Sequence, residues 1–197
     1  MKFLEVNESL LLKDFSKFPS KMLESSFREY KVSIQQINSL RAELQTLRSQ
    51  QKSNSNLYRD RLKSLQFEYS NLFLLELYLK SLSQIKCTLN EQLNQKITKS
   101  YGSLDSWRND FYHLSQSRNT DYIVLTYNKS LDCIENLTLK SESGFSPTLT
   151  PLLCCQLPKT SHSEYFGMDG TSSLIESFLY HANFDFASHN LRKALAK

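Results

Sequence analysis

The chain has 197 residues, 40% hydrophobic, 12% aromatic and 22% charged, which provides for a buried core and excludes disorder as the main state. No unbroken aliphatic or aromatic run exceeds the four residues of 72–75, far short of the ~20 apolar residues of a bilayer-spanning helix, so no membrane partner is expected. The four glycines are Gly102, Gly144, Gly167 and Gly170, which excludes the glycine-rich phosphate loops of Rossmann and P-loop proteins.

The four cysteines, Cys87, Cys133, Cys154 and Cys155, are too few and too unevenly spaced for a disulfide framework and point to a reducing compartment. The net charge of +4 is unevenly distributed: residues 1–66 hold 12 Lys and Arg against 7 Asp and Glu, and the remainder 12 against 13. The excess is densest at Arg41, Arg48, Lys52, Arg59, Arg61 and Lys63, opposed only by Glu43 and Asp60. These six form a candidate phosphate-facing patch, the alternative being a solvated helical face. The first 21 residues carry Glu5, Glu8 and Asp14 and no Arg, a poor transit peptide, so an organellar address would be shorter, internal or already removed.

Leu23, Phe27, Tyr30, Ile34, Ile37, Leu40, Leu44 and Leu47 recur at steps of three and four, which predicts one long amphipathic helix opened by a cap at Ser20. The polar run 49–56 breaks it. A second stripe at Tyr58, Leu62, Leu65, Tyr69, Leu72, Leu75, Leu79 and Leu82 predicts an antiparallel partner, the two stripes packing as a hairpin over residues 20–82. Leu89, Leu93 and Ile97 suggest a third helix, and Leu104, Trp107, Phe111 and Leu114 a fourth, introduced by Gly102-Ser103. Near residue 120 the period changes. Residues 121–127, 131–137 and 151–155 read as three antiparallel strands centred on Val124, Ile134 and Leu153, and helical pattern returns at Leu174, Phe178, Leu179 and near Leu191. The expected class is α+β: an N-terminal antiparallel helical hairpin, then a small three-stranded antiparallel sheet packed with helices, in two units at 1–85 and 86–197.

Several of these pieces resemble a known family. Tyr101-Gly102-Ser103-Leu104-Asp105-Ser106-Trp107 is similar to F-G-S-F-D-x-F of the iron/manganese superoxide dismutases, and Asp121-Tyr122-Ile123-Val124-Leu125 sits at their G-W-x-W-L. Pro151-Leu152-Leu153 resembles the P-L-L before their metal motif. The run Phe178 to Phe186 resembles their closing F-x-x-x-I-N-W-x-x, and Ser33-Ile34-Gln35-Gln36-Ile37-Asn38 resembles Y-V-N-N-L-N. The match is in order and spacing across roughly residues 100–194 and looser before them.

The resemblance implies one metal held by three histidines and an aspartate, and every corresponding position has changed. D-x-W-x-H becomes Gln156-Leu157-Pro158-Lys159-Thr160, the first-helix histidine falls on Ser25, and Asn71-Leu72 stands for Asn-His. Ser25, Leu72, Gln156 and Thr160 are therefore lost ligand positions, and neither cofactor nor metal is expected. His113, His162, His181 and His189 are the only histidines, none within the hairpin. Cys154 and Cys155, adjacent on a strand, point to opposite faces and read as buried thiols. His162 between Ser161 and Ser163 lacks a nucleophile elbow and reads as a surface histidine. Catalytically dead proteins of this kind occur as a pair in the small subunit of mitochondrial ribosomes. The implied function is thus a non-catalytic ribosomal component of the mitochondrial matrix, bound to rRNA, other ribosomal proteins and a second dismutase-like subunit. Glu29 stands at the family's bridging histidine and Lys159 and Thr160 at the motif it meets, which favours a heterodimer over self-pairing; Glu29, Lys159, Thr160 and Ser163 are the expected partner interface. The alternatives are an active dismutase and a scaffold subunit of another mitochondrial complex.

Overall fold

A computed structural model describes residues 2–11, 15, 18–117, 120–141, 143–157 and 170–196. Helix α1 (Ser20–Ser49) and α2 (Asn56–Lys80) run antiparallel, followed by α3 (Glu91–Tyr101) and α4 (Leu104–Ser115). Strands β1 (Tyr122–Asn128), β2 (Cys133–Leu139) and β3 (Leu149–Gln156) form one sheet, and α5 (Gly170–Tyr180) and α6 (Phe184–Leu195) close the chain. The class is α+β, with six helices and a three-stranded antiparallel sheet among the described residues. Among the described residues no helix is long and apolar enough to cross a membrane.

The first stripe is buried almost throughout α1, from Leu23 and Phe27 to Leu44 and Leu47, with Leu40 half-buried. Its cap differs from expectation. Pro19 is the N-cap, its carbonyl accepting from the Met22 and Leu23 N–H groups, and Ser20 lies already inside the helix. At the other end Gln51 adopts φ 56°, and the Lys52 and Gln51 N–H groups bond the Leu47 and Arg48 carbonyls. This is the Schellman arrangement, accepted here by a glutamine where glycine is the usual residue. Ser55 then caps α2 by accepting from the Tyr58 N–H.

The second stripe divides. Leu75, Leu79 and Leu82 are buried, but Leu62 and Tyr69 are exposed and Tyr58, Leu65 and Leu72 only half-buried. Two helices cover one seam of each other; burying α2 on further sides requires the sheet, which reaches only its C-terminal third.

Ser103 caps α4, and Gly102 supplies the positive φ of 83° that ends α3. The α3 cap is Asn90, so Leu89 precedes that helix. Trp107 is fully buried and donates to Asn136 Oδ1 at 3.0 Å, while Asn136 donates to Asp110 at 2.7 Å. The sheet order is β2-β1-β3. Central β1 is covered on both faces, so residues 122–127 are all buried and the strand does not alternate. Edge strand β3 is bulged: Leu125 pairs with Leu153 but Thr126 with Pro151, leaving Leu152 as the extra residue. Proline is tolerated at such an edge because it has no N–H to lose from the ladder. Strand β2 begins at Cys133, two residues later than expected, because Leu131 is exposed and Asp132 takes φ 47° in the turn.

Hairpin and sheet meet at the end of α2. Ser81 donates to the Leu77 carbonyl at 2.7 Å and accepts the Cys154 N–H at 2.8 Å. The Ser83 N–H bonds the His181 carbonyl, and the Asn183 N–H bonds that of Ser81. Buried residues from 1–85 and from 86–197 belong to one contiguous cluster.

Candidate functional site

The most polar part of this interior lies where α1 and α2 face the end of β3. Ser26 donates to Gln156 Oε1 at 2.7 Å, and the Gln156 amide nitrogen faces Tyr122 Oη at 3.5 Å and Glu29 Oε2 at 3.4 Å. Ser26, Tyr122 and Gln156 are buried, whereas Glu29 lies exposed at the rim. From α2 comes Tyr78, fully buried beside Ser26, Tyr122, Cys154 and Cys155, its hydroxyl without a hydrogen-bond partner of good geometry among the described residues. Burial first, then the neighbouring thiols, pushes the Tyr78 phenol well above its usual range; burial does the same for Tyr122 and for both thiols. All four groups are therefore held neutral near pH 7, and neither cysteine carries the thiolate that nucleophilic or ligating chemistry needs.

The positions inferred from the resemblance are only partly assembled. Gln156 is in the cluster, but its partner on α1 is Ser26 instead of Ser25, which is half-buried and about 100° farther round the helix. On α2, Leu72 is half-buried, and Tyr78, six residues on, enters the cluster. Neither offset is a whole turn, so the residues that line the cluster from α1 and α2 stand on other faces than the positions inferred from the resemblance. Thr160, Lys159 and Ser163 lie outside the described residues, as does His162. The one signal for Tyr78 in the sequence was its place in residues 72–79, where Glu76 is the only charged residue; that run marks a well-covered stretch of helix without saying which side chains are covered, since Phe73 within it is exposed.

This donor set does not fit an iron or manganese ion of the kind the resemblance implies. A serine hydroxyl, a carboxamide and two neutral phenols supply neither imidazole nor, apart from rim Glu29, anionic oxygen. Among the described residues no three His, Cys, Asp or Glu lie together in a way that could hold a metal. His113 on α4 and His189 on α6 are exposed. Buried His181 follows α5, with Nδ1 3.1 Å from the Ser83 carbonyl.

The second candidate surface is the hairpin tip. Three of its six cations are engaged within the chain. Arg48 donates to the Tyr58 hydroxyl at 2.8 Å across the hairpin, Arg59 holds the tip through the Asn54 carbonyl and Asn56 Oδ1, and Arg61 pairs with Glu43 at 2.7 Å. Arg41, Lys52 and Lys63 make no side-chain ion pair or hydrogen bond among the described residues; Lys52 and Lys63 are exposed and Arg41 is half-buried. The tip thus presents solvent-facing positive charge on a helical frame, suited to phosphate contacts and without a base-reading element. No protein-family model matches the chain, and no curated protein matches it either.

Proposed function

We propose that the chain is a non-catalytic, superoxide dismutase-like structural subunit of the mitochondrial ribosome small subunit. In this reading it works in the matrix, pairs with a second dismutase-like subunit, and contacts other ribosomal proteins and rRNA. The observation that carries the reading is the neutral cluster of Ser26, Tyr78, Tyr122 and Gln156, in a protein whose motifs resemble a metalloenzyme family. Dismutation needs a metal that cycles between two oxidation states, and this cluster gives such an ion little to bind. A buried polar network that is nearly satisfied by its own members serves packing and specificity instead. Glu29, exposed at the rim of the cluster, is a partner contact of suitable charge.

Support for RNA comes from the tip, where Arg41 on α1, Lys63 on α2 and Lys52 in their connection have no ion-pair or hydrogen-bond partner among the described residues, on a frame with no groove-reading motif. The test is sedimentation of the native chain in extracts of the cells that make it. Co-migration with small ribosomal subunits, and release by nuclease, supports the reading. Migration as free protein, or with a nuclease-resistant assembly, rejects the ribosomal assignment.

A further inference from the structure

Helix α2 carries two seams. One faces α1, through Tyr58 bonded to Arg48, Arg61 paired with Glu43, and Asn71 donating to Ser33 at 2.9 Å. The other runs along Leu62, Gln66, Tyr69 and Phe73, in steps of four, three and four, the spacing of a coiled-coil seam. No second helix among the described residues lies along it: Leu62 is 39%, Tyr69 42% and Phe73 40% exposed. Farther along the same line Leu77 is buried in the core, so the seam is covered at one end and open at the other. The Phe145 ring packs on Phe73 at 5.6 Å and, with Pro147 and Leu149, raises a second wall. Between the walls lies a groove of about 800 Å³ with no charged lining residue. An adjoining depression shares Pro151 with it and is bordered by Lys193, and exposed Arg59 and Lys63 flank the open end of the seam.

We propose that this groove seats one amphipathic helix of a partner protein, about three turns long, with carboxylates flanking its apolar stripe. The length follows from the seam: positions 62 to 73 span ~16 Å of helix axis. Charge sets the flanks, since exposed Arg59 and Lys63 lie within a turn of Leu62 on α2, Lys193 lines the adjoining depression, and neither lining holds an acidic residue. Area argues against a second copy of the chain. The three exposed side chains offer on the order of 250 Å², against ~800 Å² per partner in a stable globular interface. A single helix, by contrast, enters the groove and touches both walls. RNA is disfavoured because the floor presents no cation to phosphate. The inference does not rest on the ribosomal reading, because any partner assembly could supply such a helix.

The test places photoreactive benzoylphenylalanine at position 69 of the full chain, in the cells that make it, and sequences the cross-linked peptide by mass spectrometry. The expected adduct is a segment with apolar residues at i, i+3 or i+4, and i+7, flanked by Asp or Glu. A synthetic peptide of that sequence should bind the purified chain, and Phe73→Glu should weaken binding at least tenfold. Should that variant fail to fold, Leu62→Glu, nearer the exposed tip, gives the same readout. An adduct with RNA, with a second copy or with a segment lacking that pattern overturns the inference. So does a yield no higher than that from a probe at exposed position 24.

Discussion

The Ser26 hydroxyl of α1 donates to Gln156 Oε1 at the end of β3 across 2.7 Å, joining residues 130 positions apart. Both are buried, so removing the donor leaves an amide oxygen without its hydrogen bond in a place water does not easily reach. Ser26→Ala should cost ~1–3 kcal/mol. Chemical denaturation that gives an unchanged stability would show that the amide finds another donor there.

A comparable bond ties the hairpin to the sheet edge. Ser81 is fully buried and accepts the Cys154 N–H at 2.8 Å, on a strand that has no ladder partner on that side. Ser81→Ala orphans a buried backbone donor and should also cost ~1–3 kcal/mol. Amide hydrogen exchange at Cys154 should speed up by more than at Leu153, and equal effects at both residues would count against a local tie.

Acid should loosen the β1–β2 turn. Lys96 and Lys99 ion-pair with Asp132, and Tyr127 donates to it at 2.8 Å, so the carboxyl is held well below its usual range, with the Lys96 contact the largest cause. A depressed folded-state value means stability present above the unfolded pKa of ~3.9 and lost as pH falls through the folded one. Asp132→Asn keeps a residue tolerant of φ 47° but loses the charge. It should lower Tm at neutral pH, with the difference shrinking as pH drops below ~4. A difference that stays constant across that window would contradict this account of the turn.

At the tip, Arg41, Lys52 and Lys63 can be reversed to Glu without breaking an intramolecular pair. The triple variant should keep its Tm and lose assembly into ribosomal particles, with a strong dependence on salt. Arg61→Glu, by comparison, places two carboxylates together at Glu43 and should disturb the hairpin itself. Normal incorporation of the triple variant at physiological salt would return the tip to a solvated face.

The hairpin and the strand centres were legible because a stripe such as Leu23, Phe27, Tyr30 and Ile34 has one geometric solution, and because β-branched and aromatic residues cluster at 122–127. Less legible was how far each stripe is covered. Leu62 and Tyr69 share the period of Leu75 and Leu79, yet only the latter pair lies under the sheet, and period carries no information about what packs on top. The polar cluster was half legible for the same reason. Gln156 follows a strand motif in which one-residue register matters, whereas Ser26 and Tyr78 lie on helices without a motif, and nothing local marks them as members of a polar cluster. The bulge at Leu152 and the left-handed Gln51 depend on tertiary contacts and carry no local signal beyond Pro151.

The central claim is that the chain is a pseudoenzyme. Its most direct test is to refold the chain in the presence of excess iron or manganese, dialyse it, and measure metal content together with turnover of superoxide. The account predicts metal far below one atom per chain and no turnover above that of free metal removed under the same conditions. One tightly held iron or manganese per chain with catalytic turnover would contradict it, because Ser26, Tyr78, Tyr122 and Gln156 would then be neighbours of a working site.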